Sequence, residues 1–111
     1  MSEKTQEGLD NLIVEGLNSE KGELDLRERE LDDDDIKLIV GSDKILGVTA
    51  LFLEYNEIGD EGLQAILDSE KFKHLTALNM FKNQVSDDGV KEMAKSKTLL
   101  NLSELVMSDN K

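Results

Sequence analysis

The chain has 111 residues, the size of one domain; 34% of them are charged and the formal net charge is −12. It holds no Cys and one His, His74, which excludes a disulfide framework, thiolate metal sites and clustered-His metal sites. No segment approaches the roughly 18 apolar residues of a membrane span, the acidity argues against a phosphate-backbone partner, and the start Met1-Ser2-Glu3-Lys4 is not a secretory signal, so a cytoplasmic protein is expected.

The first third carries most of the repulsion, with 13 acids against 4 bases over residues 1–35. A helix is expected over about residues 7–17, with Leu9 and Leu12 on its apolar side. Leu24 and Leu26 then begin a short alternating strand. The run Asp32-Asp33-Asp34-Asp35 follows, immediately before an apolar pattern that contains Ile36 and Ile39. Hard cations need converging oxygens, and neighbouring residues of a helix point apart, so this run is read as a helix start and not as a metal site. The same order returns as Leu51 and Leu53, Asp60, then Leu63, Ile66 and Leu67, and again as Leu78 and Met80, Asp87, then Val90 and Met93. Each aspartate is read as an N-cap, where acids bond orphan amides and favour the helix dipole. The last apolar alternation is Leu105 and Met107.

The offset between equivalent positions is 27 throughout. Asn56, Asn83 and Asn110 form one column, and Leu31, Ile58 and Val85 another; Ile45, Phe72 and Leu99 form a third. One strand and one helix in 27 residues, repeated in phase, require parallel strands joined by crossovers on one side. The segment 48–63 is the clearest copy, and 75–90 repeats it with Asn83, Val85 and Gly89. These residues resemble the leucine-rich repeat family, in its ribonuclease-inhibitor-like subclass. The resemblance implies an α/β solenoid: a short right-handed horseshoe segment with a curved four-stranded parallel sheet inside and helices on the convex side. It also implies that the inward Asn of each repeat satisfies backbone groups at the bend after the strand. Arg29 departs from that pattern, as do Lys21 and Asp35. Residues 1–47 are therefore expected to be a capping helix with an atypical first repeat, followed by repeats at 48–74 and 75–101 and a terminal half-repeat at 102–111, all one domain.

In a strand, alternate residues face away from the core. Three columns should face outward on the concave side: Asp25, Phe52, Asn79 and Val106; Arg27, Glu54, Phe81 and Ser108; and Glu28, Tyr55, Lys82 and Asp109. Three of the chain's four aromatics fall there, while Phe72 belongs to a core column. They form a binding patch, or Phe52 and Phe81 brace neighbouring strands as cross-strand pairs. We favour the patch, because aromatics are enriched at interface hot spots and such sheet faces are the usual binding surface of repeat stacks. The candidate protein-binding residues are Phe52, Glu54, Tyr55, Asn79, Phe81, Lys82 and Val106. The acidic frame suits a basic protein partner. No catalytic set, metal site or cofactor site is expected: His74 has no identifiable nucleophile nearby, and Gly59-Asp60-Glu61-Gly62 lacks phosphate-loop spacing. The chain is thus expected to be a non-enzymatic protein-interaction module. The alternatives are assembly through the open C-terminal edge, as a homodimer or by continuation into further repeats, and non-catalytic regulation of an enzyme such as a GTPase.

Overall fold

A computed structural model describes residues 4–96 and 101–111. Among the described residues are four α-helices, α1 (Gln6–Gly16), α2 (Asp33–Val40), α3 (Asp60–Asp68) and α4 (Asp87–Ala94), and five strands. The strands are β1 (Leu17–Asn18), β2 (Glu23–Asp25), β3 (Ala50–Phe52), β4 (Ala77–Asn79) and β5 (Glu104–Val106), in the spatial order β1-β2-β3-β4-β5. From β2 to β5 all neighbours are parallel. Leu24, Leu51, Leu78 and Leu105 lie side by side in register, so the 27-residue offset in the sequence is a physical row across the sheet. The expected position of Leu99, and the reading of residues 1–3, fall outside the described residues.

The core lies between strands and helices. Leu24, Leu26, Leu51, Leu53, Leu78 and Met80 from the sheet share one buried cluster with Leu9 and Ile13 of α1, Ile36 and Ile39 of α2, Leu63, Ile66 and Leu67 of α3, and Met93 of α4. Helices that are neighbours in sequence pack side by side, α1 on α2, α2 on α3 and α3 on α4. The molecule measures 32 × 32 × 19 Å. Its short dimension holds one layer of strands and one of helices, since a helix with its side chains is about 10–12 Å across.

The sheet has five strands, not the expected four. The addition is β1, antiparallel to β2 with Leu17 opposite Leu24 and Asn18 opposite Glu23. The chain leaves α1 at Gly16 and reverses through residues 19–22, where Gly22 has φ +68°. Gly16 lies so close to the Asp25 carbonyl oxygen that any β-carbon there would collide with it. Small residues at both ends therefore allow a tight hairpin against β2. Helix α1 packs Leu9 and Ile13 into that end of the core.

Asn56 and Asn83 are buried. The Asn83 amide nitrogen donates to Leu53 O (2.9 Å) and Met80 O (3.2 Å), and its oxygen accepts from Ile58 N (3.0 Å). Asn56 does the same one repeat earlier, and Asn110 one repeat later. Each amide thus joins its own turn to the turn of the preceding repeat. The chain needs this support because Glu28, Tyr55, Lys82 and Asp109 have φ between 56° and 61°, a left-handed conformation that costs a non-glycine residue roughly 1–2 kcal/mol. In the first repeat Arg29 replaces the Asn, and there a second residue, Glu30, is also left-handed (φ 57°).

The aspartates do not cap their own helices. Asp33, Asp60 and Asp87 are the first helical residues, and the N-caps are Asp32, Gly59 and Ser86. The carboxylate of Asp33 instead reaches across to the next repeat, where Oδ1 accepts from Gly59 N (2.7 Å) and Gly62 N (3.0 Å) at the start of α3. Asp60 likewise accepts from Ser86 N (2.7 Å) and from the Ser86 hydroxyl. Gly59 and Ser86 provide no side-chain cap of their own, so amides at the starts of α3 and α4 are satisfied by the preceding repeat. This explains Gly62: a β-carbon there would lie 2.6 Å from Asp33 Oδ1 and 2.7 Å from Ile58 Cγ2. Asp35 occupies the equivalent place in the first repeat, where α2 is closed by its own capping box between Asp32 and Asp35. Lys4 Nζ, 2.8 Å from Asp35 Oδ2, neutralises that buried carboxylate.

Candidate functional site

Leu51 and Leu53 point into the core, so Phe52 and Glu54 point away from the helices, as do Asn79 and Phe81 one repeat on. The regular strands end at Phe52 and Asn79. Glu54, Tyr55, Phe81 and Lys82 therefore stand in the turns just beyond, not within the strands. Pairing persists through those turns by Leu53 N→Asn79 O (2.9 Å) and Tyr55 N→Phe81 O (3.0 Å). The left-handed backbone at Tyr55 and Lys82 swings both side chains to the rim of the sheet.

Tyr55 and Phe81 meet edge to face, with centroids 5.5 Å apart and planes at 86°. Tyr55 is 52% exposed, and Phe81 and Phe52 are half-buried. The bracing contact is between Tyr55 and Phe81, not the Phe52 and Phe81 pair considered from the sequence, and it leaves much of the tyrosine in solvent. Val106, opposite Asn79 in β5, is also exposed. Lys82 lies 3.6 Å from Asp109. Asn79 turns back on its own chain, its Oδ1 accepting from Phe81 N (3.0 Å).

Phe52, Glu54 and Asn79 also line a depression of about 420 Å³, whose other walls are Gly16, Asn18, Glu23, Asp25 and Arg27. Sequence reasoning missed that wall because it missed the β1 hairpin. The available signal was Asn18 followed by Gly22, a turn composition between Leu17 and Glu23. Within the depression Arg27 forks onto Asp25, with Nε 3.0 Å from Oδ1 and a terminal nitrogen 2.8 Å from Oδ2. The hydrogen bond from Arg27 holds the Asp25 carboxyl below the usual carboxylate range, and Asp25 in turn raises Arg27. Glu54 Oε1 is buried and is the one side-chain polar atom of that kind, among the described residues, without a hydrogen-bond partner.

His74 is exposed. The acidic run 32–35 forms the start of α2, and among the described residues no group of three or more acids or His is placed to hold a metal ion. No helix of the described residues is long and apolar enough to cross a membrane.

Parallel strands alternating with helices at a fixed period, with an Asn ladder between turns, define a repeat protein of mixed α/β class. Residues 48–67 and 73–94 match the family described as Leucine Rich repeat. These two segments are similar to leucine-rich repeats, and proteins built from such repeats commonly bind other proteins and are generally not catalysts. No curated protein matches the chain.

Proposed function

We propose that this chain is a short leucine-rich repeat solenoid of the ribonuclease-inhibitor-like subclass, capped by residues 1–47, that displays the open face of its sheet to a protein partner. The observation that carries this reading is the Tyr55–Phe81 pair, an aromatic contact in which Tyr55 stays 52% exposed at the rim of that face. Aromatic anchors of this kind dominate interface energetics, because they bury large area at small entropic loss. Phe52 and Val106 extend the apolar centre, and Glu54 and Lys82 stand beside it. The net charge of −12 favours a basic partner and speeds its capture. The test is affinity capture with the wild-type chain and a Tyr55→Ala, Phe81→Ala double variant, followed by amide-exchange mapping of the recovered complex. A protein held by the wild type alone, protecting residues 52–55 and 79–82, supports the reading. Equal capture by both chains rejects it.

A second reading rests on a separate observation. Leu105 and Val106 of β5 are 45% and 39% exposed, whereas Leu78, one strand inward, is 1% exposed. An apolar edge strand with unpaired backbone groups invites pairing, so a homodimer through β5 is the alternative. Sedimentation across a concentration series, with Leu105→Lys as the control, separates it from display by a monomer.

A further inference from the structure

We propose that β5 and α4 form one self-complementary surface that docks a second copy of this chain about a two-fold axis, with β5 antiparallel to β5 and α4 antiparallel to α4. This rests on the homodimer reading and fixes its surface and symmetry, and it leaves the open sheet face of each copy free for display. Contacts that the earlier repeats make are unmet on this surface. Leu53 N and Met80 N each donate to the strand that follows, to Asn79 O (2.9 Å) and Val106 O (2.8 Å). Met107 N holds the same place in the repeat. The main-chain groups of residues 104, 106 and 108 turn to the preceding strand, so those of Leu105 between them face the free edge. On the helix layer Ile36 and Leu63 are 1% exposed, whereas Val90, in the same column, is 41% exposed. Asp33 and Asp60 reach forward to cap the next helix. Lys37 likewise reaches forward to Glu61 (2.9 Å). Their counterparts in α4, Asp87 and Lys91, are exposed. Among the described residues no ion pair within 4 Å holds Asp87, Asp88 or Lys91.

The arrangement of these groups selects a second copy as the occupant. Helix α4 is acidic in its first turn, at Asp87 and Asp88, and basic beyond it, at Lys91 and at the cap Lys95. An antiparallel mate therefore sets the acidic start of each α4 against the basic end of the other, and the two-fold axis makes that contact twice. The same axis lets the free main-chain groups of β5 exchange hydrogen bonds with their own copies, since antiparallel strands pair reciprocally. Val90 and Leu105 of both copies are then covered, and the bare sheet edge is closed. Head-to-tail stacking of β5 on β1 fits poorly. Helix α1, which would face α4, has Glu7, Asp10 and Glu15 and no Lys or Arg, so nothing on it answers Asp87 and Asp88. Strand β1 is also only two residues long. Such stacking would leave one β5 edge bare at every step, whereas the two-fold contact closes at two copies.

The test is sedimentation equilibrium of the full chain and two charge variants. Asp87→Lys with Asp88→Lys makes α4 basic at both ends, and Lys91→Glu with Lys95→Glu makes it acidic at both ends. Each variant alone sets like charges against like and should self-associate at least about tenfold more weakly than the wild type. An equimolar mixture of the two restores opposite charges and should form a heterodimer about as tightly as the wild type pairs with itself. Rescue on mixing is a readout that a misfolded variant cannot give. The exposed single changes Asp88→Lys and Lys95→Glu carry the same test if a double variant unfolds. Variants that dimerise as the wild type does, a mixture no tighter than either variant alone, or assembly that grows beyond two copies would each overturn the two-fold surface. The two readings fail differently. If the charge variants have no effect but Leu105→Lys yields a monomer, the symmetry is wrong and pairing through β5 stands. If the wild type stays monomeric across the concentration series, both are wrong, and the sheet face remains to be judged by capture alone.

Discussion

Replacing Gly62 by Ala tests whether each helix start is closed by the repeat before it. The new methyl would lie 2.6 Å from Asp33 Oδ1 and 2.7 Å from Ile58 Cγ2, so the Asp33 carboxylate must withdraw from α3. Gly59 N and Gly62 N then lose their acceptor. Loss of a cap costs about 0.5–2 kcal/mol, and forcing a methyl into a packed site costs roughly 1–3 kcal/mol. Alanine in a helix recovers about 1 kcal/mol relative to glycine. The net expectation for Gly62→Ala is a destabilisation of about 2 kcal/mol, and for Asp33→Ala about 1 kcal/mol. The two changes break the same hydrogen bonds, so the double variant should lose about 2 kcal/mol, well short of the sum. Urea unfolding of the four chains, with a shared m-value, measures the cycle. Additive losses would refute cross-repeat capping, and so would a stabilising Gly62→Ala.

Three further outcomes follow from the same geometry. Asn83→Ala strands several buried backbone groups and should cost about 3 kcal/mol, whereas Asn110→Ala, whose site is only half-buried, should cost about 1 kcal/mol by the same urea assay. The Asp60 carboxyl is held below its usual range by the hydroxyl and amide of Ser86. Its contribution is therefore fully present above the unfolded value of about 4 and is lost as pH falls through the lower folded value. Asp60→Asn should accordingly lose less stability than the wild type between pH 6 and pH 3, read as the shift of the urea midpoint. Leu78→Ala should cost about 3 kcal/mol because the side chain is fully buried, while Leu105→Ala, 45% exposed, should cost about 1 kcal/mol in the same measurement.

What the sequence shows plainly is the part of the fold that repeats. The row of Leu24, Leu51, Leu78 and Leu105 and the column of Asn56, Asn83 and Asn110 carry one chemical type at one spacing, because each occupies the same environment in successive turns of the stack. The β1 hairpin is invisible by that route. It is two residues long, occurs once, and is set by the close approach of Gly16 to Asp25, a contact between residues nine apart. The aspartate column was legible as helix-start chemistry, but its direction was not. Asp33 finds its partners 26 and 29 residues later, so only the stacked geometry separates a cap for α2 from a cap for α3. The candidate site divides similarly. Alternation places Phe52 and Asn79 on the open face, while the depression beside them depends on the hairpin. The left-handed backbone that carries Tyr55 and Lys82 to the rim has no glycine to announce it.

A photo-cross-linking residue placed at Asn79, on the open face of the sheet, and separately at Val14, an exposed residue of α1, tests most directly which surface meets a partner. A single covalent adduct formed from position 79 and not from position 14, and suppressed by Tyr55→Ala with Phe81→Ala, is the expected result. Adducts formed equally from both positions, or from position 14 alone, would contradict binding through the sheet face.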